Sequence, residues 1–331
     1  MKSSNARKTL LAILADGRFH SGADLARALG VSRTAVWNMM HELKELGLEW
    51  NAVSGKGYSL LRPLELLDRQ AILKGLSDAA KSSLANLEIH GELDSTNSRL
   101  MGLAVNGYAP GGSVCLAEFQ TAGRGRIGRG WVSPFGSNIC LSLLWWFDDH
   151  SSYAGLSLAV GVCIIRALRD AGVEGVGLKW PNDILWQGRK LGGILLEATG
   201  EAHGRCAVVI GIGLNLHIPA GTASAIDQPW VDLGQITGGI HLSRNGLIAR
   251  LLNGLLELVS EYPRQGLQAY IEEWRQWHCM AGRRSVLTIG EKPIHGVVAG
   301  VSDEGLLLLE CEDGGMRRFA SGDLRLRNDD R

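Results

Sequence analysis

The feature that most constrains the fold is the stretch Glu118-Phe-Gln-Thr-Ala-Gly-Arg-Gly-Arg-Ile-Gly-Arg-Gly-Trp131, in which four glycines alternate with three arginines. Glycine lets a backbone approach a ligand closely and adopt positive φ. Arginine supplies a permanent charge on a rigid donor fork suited to carboxylate and phosphate. Such a run cannot pack as a helix or strand, so it must be a loop built to hold something small and anionic. Gly123-x-Gly125-x-x-Gly128 also invites a dinucleotide-fold reading, which needs a strand before the glycines and a helix opening on them. The strand is expected (Val114 to Phe119). The helix is not, because Gly130-Trp-Val-Ser-Pro134-Phe-Gly favours turn or extended chain. No H-R-D or D-F-G set follows, which excludes the protein-kinase version.

The remainder is a multidomain globular chain. Its 331 residues suit two or three domains. With 45% hydrophobic and 21% charged residues, disorder is excluded. The formal net charge is zero, so any nucleic-acid contact must come from local charge. Six widely spaced cysteines without a C-x-x-C read as buried reduced thiols. With no apolar N-terminal signal region and no run of 18 apolar residues, the expected location is cytoplasmic.

Residues 1–62 read as a winged helix-turn-helix. Helices are expected from Ala6 to Asp16, from the Ser21 cap through Leu29, and from the Ser32 cap to Leu46. Two short strands over Leu48 to Leu60 surround Ser54-Gly-Lys-Gly57. Arg33, Thr34, Trp37 and Asn38 lie off the apolar stripe near the third helix N-terminus, where a recognition helix presents side chains to bases, and Lys56 sits on the wing turn. The segment holds nine basic and five acidic residues, net +4, which favours DNA binding over a helical packing module.

After Arg62-Pro63, residues 67–277 form a second domain. A helix is expected over Asp68 to Asn86, a strand over Leu87 to Leu93 and a helix over Ser98 to Val105. Between the last two, Asp94-Ser95-Thr96-Asn97 reads first as a helix cap and second as a set of hydroxyls for a ligand's polar head. An apolar strand (Asn138 to Phe147), a helix (Ser151 to Ala171) and a hairpin at Gln187-Gly188 follow; the hairpin delivers Lys190 to the returning strand. Gly211-Ile-Gly-Leu-Asn215 lies on a strand whose glycines allow close approach. Residues 217–232 read as a lid. Helices from Ser243 to Tyr262 and from Gly266 to Trp277 close the domain. Short strands punctuated by turns at Gly290, Ser302 to Gly305 and Glu312 to Gly315 make 278–331 a small β-barrel.

Asp94 to Asn97, Glu118 to Trp131, Ser133-Pro-Phe-Gly-Ser-Asn138, Lys179-Trp-Pro-Asn-Asp183, Gly188-Arg-Lys-Leu-Gly-Gly193 and Gly211 to Asn215 resemble, in order, the motif series of biotin protein ligases. With the winged helix and terminal barrel, the chain resembles the bifunctional bacterial form, a ligase that also represses the biotin operon. Gly130 stands where some relatives carry lysine. The resemblance implies an α+β protein: a winged helix-turn-helix, a mixed α/β ligase domain of class II synthetase type and an SH3-like barrel. It implies ATP and Mg²⁺, biotin as substrate, the biotin carboxyl carrier protein of acetyl-CoA carboxylase and operator DNA as partners, and a homodimer when biotinoyl-AMP is bound. By the same resemblance Ser95, Thr96, Asn97, Gln120, Arg124, Gly125, Arg126 and Lys190 bind biotin. Arg129, Trp131, Asn182, Asn215 and Trp230 face the adenylate or ATP. Arg126, Lys190 and Asp183 serve the chemistry, with Asp183 also a metal ligand. Arg129 and Lys179 read equally as structural charges, and Trp180 reads as core rather than adenine platform. A lipoate or octanoate ligase and a non-catalytic biotin sensor are the alternatives.

Overall fold

The computed structural model describes residues 2–148, 151–200, 204–240 and 242–326; positions 327–331 of the expected terminal barrel lie outside them. The N-terminal unit is α1 (Lys2–Leu14), α2 (Gly22–Leu29), α3 (Arg33–Glu42) and an antiparallel wing, β1 (Trp50–Val53) and β2 (Gly57–Leu60). Ser21 and Ser32 cap α2 and α3, accepting from the Asp24 and Ala35 amides. α1 ends two residues earlier than expected, where the Gly17 amide turns back to the Leu14 carbonyl. α3 stops at Glu42 rather than Leu46 because Leu43 to Gly47 tighten into single turns. Leu43 and Leu46 still face the core, so the apolar period outlasts the helix.

In the central domain, the helix expected over Asp68 to Asn86 is two helices, α4 (Arg69–Lys74) and α5 (Asp78–Ser83). The break has a packing cause. Gly75 lies against α10 (Arg244–Gln265) so closely that a Cβ there would sit 2.7 Å from Ala249, and Ser77 recaps the chain by accepting from Ala80. There follow β3 (Asn86–His90), α6 (Thr96–Val105), β4 (Ser113–Ala117), β5 (Asn138–Phe147), α7 (Leu156–Asp170), β6 (Val176–Lys179), β7 (Asp183–Trp186), β8 (Arg189–Gly200) and β9 (Cys206–Asn215). Short α8 (Ala220–Ala223) and α9 (Leu233–Ile236) precede α10, and α11 (Ile271–Trp277) closes the domain.

These strands form one seven-stranded sheet in the order β3-β4-β5-β9-β8-β7-β6, parallel only at β3–β4. Alternation along β5 divides its side chains between two layers. Ile139, Leu141 and Leu143 join α7 and α10 in the main core, while Leu144 packs with Leu100 and Ala104 of α6. Polar Ser142 and the glycines of β9 fall on the α6 face, so the strand period puts the site there. Trp180 is buried in the main core, its indole donating to Gly305 at 3.0 Å.

The C-terminal strands β10 (Arg284–Ile289), β11 (Lys292–Val301), β12 (Leu307–Cys311), β13 (Met316–Phe319) and β14 (Asp323–Leu326) form an antiparallel sheet ordered β13-β12-β11-β10-β14, the strand order of an SH3-like barrel. No helix among the described residues is long and apolar enough to cross a membrane.

Candidate active site

The glycine-arginine loop joins β4 to β5 and folds back on itself. Gly125 N–H donates to Arg129 C=O at 2.7 Å and Trp131 N–H to Gly123 C=O at 2.8 Å, leaving a single turn, Arg126 to Gly128, at the tip. No helix opens on the glycines. The base of the loop is anchored by Glu118, buried in an ion pair with Arg244 at the start of α10. Behind it, the Trp131 indole lies flat on β9: a Cβ at Gly213 would come within 2.5 Å of the ring. Gly211 makes the same space for Asn97, whose Oδ1 would be 2.3 Å from an added Cβ. The β9 glycines thus admit the site's own side chains.

The floor of the resulting cavity is polar and neutral. Ser95, Thr96 and Asn97 are all buried at the start of α6. Ser95 caps the helix, accepting from Ser98, so its cap and cavity positions coincide. Gln120 Oε1 accepts from the Thr96 amide at 2.8 Å, and Ser142 donates to Thr96 Oγ1 at 2.7 Å. Asn97 Nδ2 donates to Glu197 at 2.8 Å, and Arg124 to the same carboxylate at 2.6 Å. Ser142 and Glu197 escaped the sequence reading. They belong to no motif, and only the registers β5–β9 and β8–β9 bring them against the residues that line the cavity.

The opposite wall is charged. Asp183 Oδ2 holds Lys179 Nζ at 2.8 Å and Asp183 Oδ1 holds Lys190 Nζ at 2.7 Å. Burial alone would raise the Asp183 carboxyl, but the two ammoniums keep it below its ordinary value. Arg126 donates to Asn182 Oδ1 at 3.1 Å, and burial draws its pKa down. Asn182 is pinned in turn by donating to Ile194 C=O at 2.7 Å. Arg129 pairs with Asp323 of β14, so the C-terminal sheet borders the cavity. With Arg124 and Arg129 paired, Arg126 and Lys190 line the cavity beside the single carboxylate of Asp183, a surplus of one positive charge, and Lys179 holds the other Asp183 oxygen from a neighbouring recess.

Trp230 and Asn215 line an adjoining recess with Trp131 and Lys190 rather than the main cavity. Asn215 donates to Val231 C=O at 3.1 Å, and the Lys190 amide and carbonyl pair with Pro229 and Val231. The expected lid is therefore strand-paired to Lys190 at its base and carries α8. Mg²⁺ takes near-octahedral oxygen ligands. Both Asp183 oxygens are occupied by ammoniums, so the residues present do not form a resident metal cage. A spatial cluster with metal-ligand chemistry, Glu88, His90 and Cys115, lies at the β3–β4 edge, where Arg99 already holds Glu88 at 3.0 Å.

At the N-terminal unit, Arg33, Thr34, Trp37 and Asn38 project outward from α3, and Lys56 stands exposed on the wing turn. The cleft between α3 and the wing is lined by Arg33, Thr34, Trp37 and Val53.

The Biotin/lipoate A/B protein ligase family matches residues 92–215, an HTH domain residues 6–59 and the Biotin protein ligase C terminal domain residues 283–327. The chain is 39% identical to the bifunctional ligase/repressor BirA of Escherichia coli over 99% of both chains. It is 32% identical to the Bacillus subtilis protein of the same name, over 98% of this chain and 99% of that one. The biotin protein ligase of Aquifex aeolicus, solved in complex with biotin and ATP, superposes with a TM-score of 0.62 at 27% identity, covering 74% of this chain and 99% of that one. Matched at both ends and at its ligand cavity, and over nearly its whole length, the chain belongs to the bifunctional ligase/repressor family of biotin protein ligases.

Proposed function

We propose that the protein is an ATP-dependent biotin protein ligase that makes biotinoyl-5′-AMP and passes biotin to a lysine of the biotin carboxyl carrier protein. With biotinoyl-AMP bound it dimerises and represses transcription from operator DNA. One observation carries the ligase reading: a neutral polar floor and a net cationic wall line one cavity.

Each half suits one end of the reaction. Ser95, Thr96, Asn97 and Gln120 offer hydroxyls and amides to the uncharged polar ring system of biotin, with Arg124 and Gly125 closing over it. In the first step the biotin carboxylate oxygen attacks the α-phosphorus of ATP, and pyrophosphate leaves. Two anions must meet, so fixed cations supply much of the stabilisation. Arg126, drawn across by Asn182, and Lys190, aimed by Asp183, stand where that charge develops. Asp183 acts by holding Lys190, and Mg²⁺ enters with ATP on its phosphates. Trp131 and Trp230 offer ring faces to the adenine, Arg129 a guanidinium to the nucleotide, and Asn215 fixes the lid backbone beside Lys190. In the second step the carrier lysine attacks the acyl carbon, AMP leaves and the amine sheds a proton. The mixed anhydride is already activated, so no protein nucleophile is required.

The test is direct. Incubated with biotin, Mg-ATP and an apo carrier domain, the protein should add one biotin mass to the carrier, and Lys190→Ala should lower the rate by about a hundredfold or more, the scale of losing a key charge-stabilising group. No mass gain with biotin, but a gain with lipoate, would move the reading to the lipoate class.

A further inference from the structure

The exposed face of α3 carries two rows of side chains at four-residue spacing, Arg33-Trp37-His41 and Thr34-Asn38. Four of these five are polar and at ease in water. Trp37 is not: it is 51% exposed, the only exposed tryptophan among the ten in the chain. Its ring is also held in place. His41 lies beneath it with ring centroids 3.9 Å apart, and the His41 Nδ1 edge meets the Trp37 carbonyl at 2.9 Å. His41 is backed by Trp50 of β1 at 5.5 Å, and Trp50 by Tyr58 of β2 at 5.7 Å, so an aromatic series runs from α3 into the wing. An indole held in water by such a series is preorganised for an apolar partner. Arg33 and Thr34, one turn before it, share its cleft.

We propose that Trp37 reads a thymine methyl group in the major groove of the operator, with His41 as the positioning residue that holds the indole at the groove floor. This rests on the repressor reading above. A recognition helix enters the major groove with its first turns against base edges, and the C5 methyl of thymine is the one apolar group displayed there. Apolar wedges that unstack bases belong to minor-groove binders, whereas a recognition helix docks in the major groove.

Duplexes are first selected from a random pool by the full-length protein with biotin and Mg-ATP. Each thymine of the selected site is then replaced singly by deoxyuridine, which removes the methyl and nothing else. In the wild type, one thymine per half-site should weaken binding about fourfold on replacement, the worth of one buried methyl. Trp37→Ala should bind about tenfold more weakly and be indifferent to that replacement. Far-UV circular dichroism checks that the variant is folded, and the wild-type arm alone can already overturn the contact. If no duplex is enriched, the repressor reading fails and this proposal with it. If a duplex is enriched but the wild type ignores every thymine methyl, or Trp37→Ala keeps the same sensitivity, the repressor stands and the Trp37 assignment falls.

Discussion

Gly213 has no side chain because Trp131 fills the space one would occupy. A methyl group there would stand 2.5 Å from the indole, and the ring rather than the strand would have to yield. Overpacking of this kind costs about 1–3 kcal/mol. Gly213→Ala is therefore expected to raise the KM for ATP about tenfold in a pyrophosphate-release assay, with the KM for biotin nearly unchanged. An unaltered ATP KM would remove Trp131 from the nucleotide site. The glycine signal was legible in the sequence, but its occupant was not. Lys179 shows the same limit from the other side. Its charge was plain, yet only the Lys179–Asp183–Lys190 geometry assigns it to a shared carboxylate.

At the scale of elements, the loop that defines the chain depends on a helix more than a hundred residues away. Arg244 begins α10, and its guanidinium reaches Glu118 at the loop base and donates to Asn138 C=O at 3.0 Å. Both charged side chains are almost fully buried, 3% and 7% exposed. Removing one partner of such a pair strands the other and costs about 3–5 kcal/mol. Arg244→Met should lose that much in urea unfolding, and Glu118→Gln combined with it should recover more than half. If the single variant loses under 1 kcal/mol, the pair is not anchoring the loop. Glu65 extends the network, accepting from Ser243 at 2.9 Å and from the Asn245 amide at 3.0 Å, so the interdomain linker is fastened to the same helix start. Periodicity and caps made α2, α3, α7 and α10 readable. The split of α4 from α5 was not, because the contact of Gly75 with Ala249 spans 174 positions.

In the whole molecule, the winged helix is not a free appendage. Phe135 of the Ser133-to-Asn138 segment is buried in its core, and the Phe135 amide donates to Leu46 C=O at 2.9 Å. Gly47 abuts both Pro134 and Thr222, so the N-terminal unit touches the lid as well as the segment after the glycine-arginine loop. In the dimer reading proposed above, a ligand that orders the lid lowers the ordering cost left for dimerisation. Sedimentation velocity should accordingly report a monomer with biotin alone and a dimer with biotin plus Mg-ATP. The same sedimentation in both samples would leave the ligase intact and cancel adenylate-driven dimerisation.

The sequence by itself determined the three-part order, the main helices and strands, the absence of a helix after the glycines and the main cation-bearing motifs of the cavity. Those properties are local: caps, turn residues and apolar period act over a few positions. Only the tertiary structure decided that Asp183 is shared by two lysines, that Arg129 is paired with Asp323, that Ser142 and Glu197 hold the floor residues from behind, and that Phe135 belongs to the neighbouring domain's core. Each joins groups distant in the chain or fixes which partner a charge takes. Sheet register and interdomain packing set such contacts, and no short window of residues contains them.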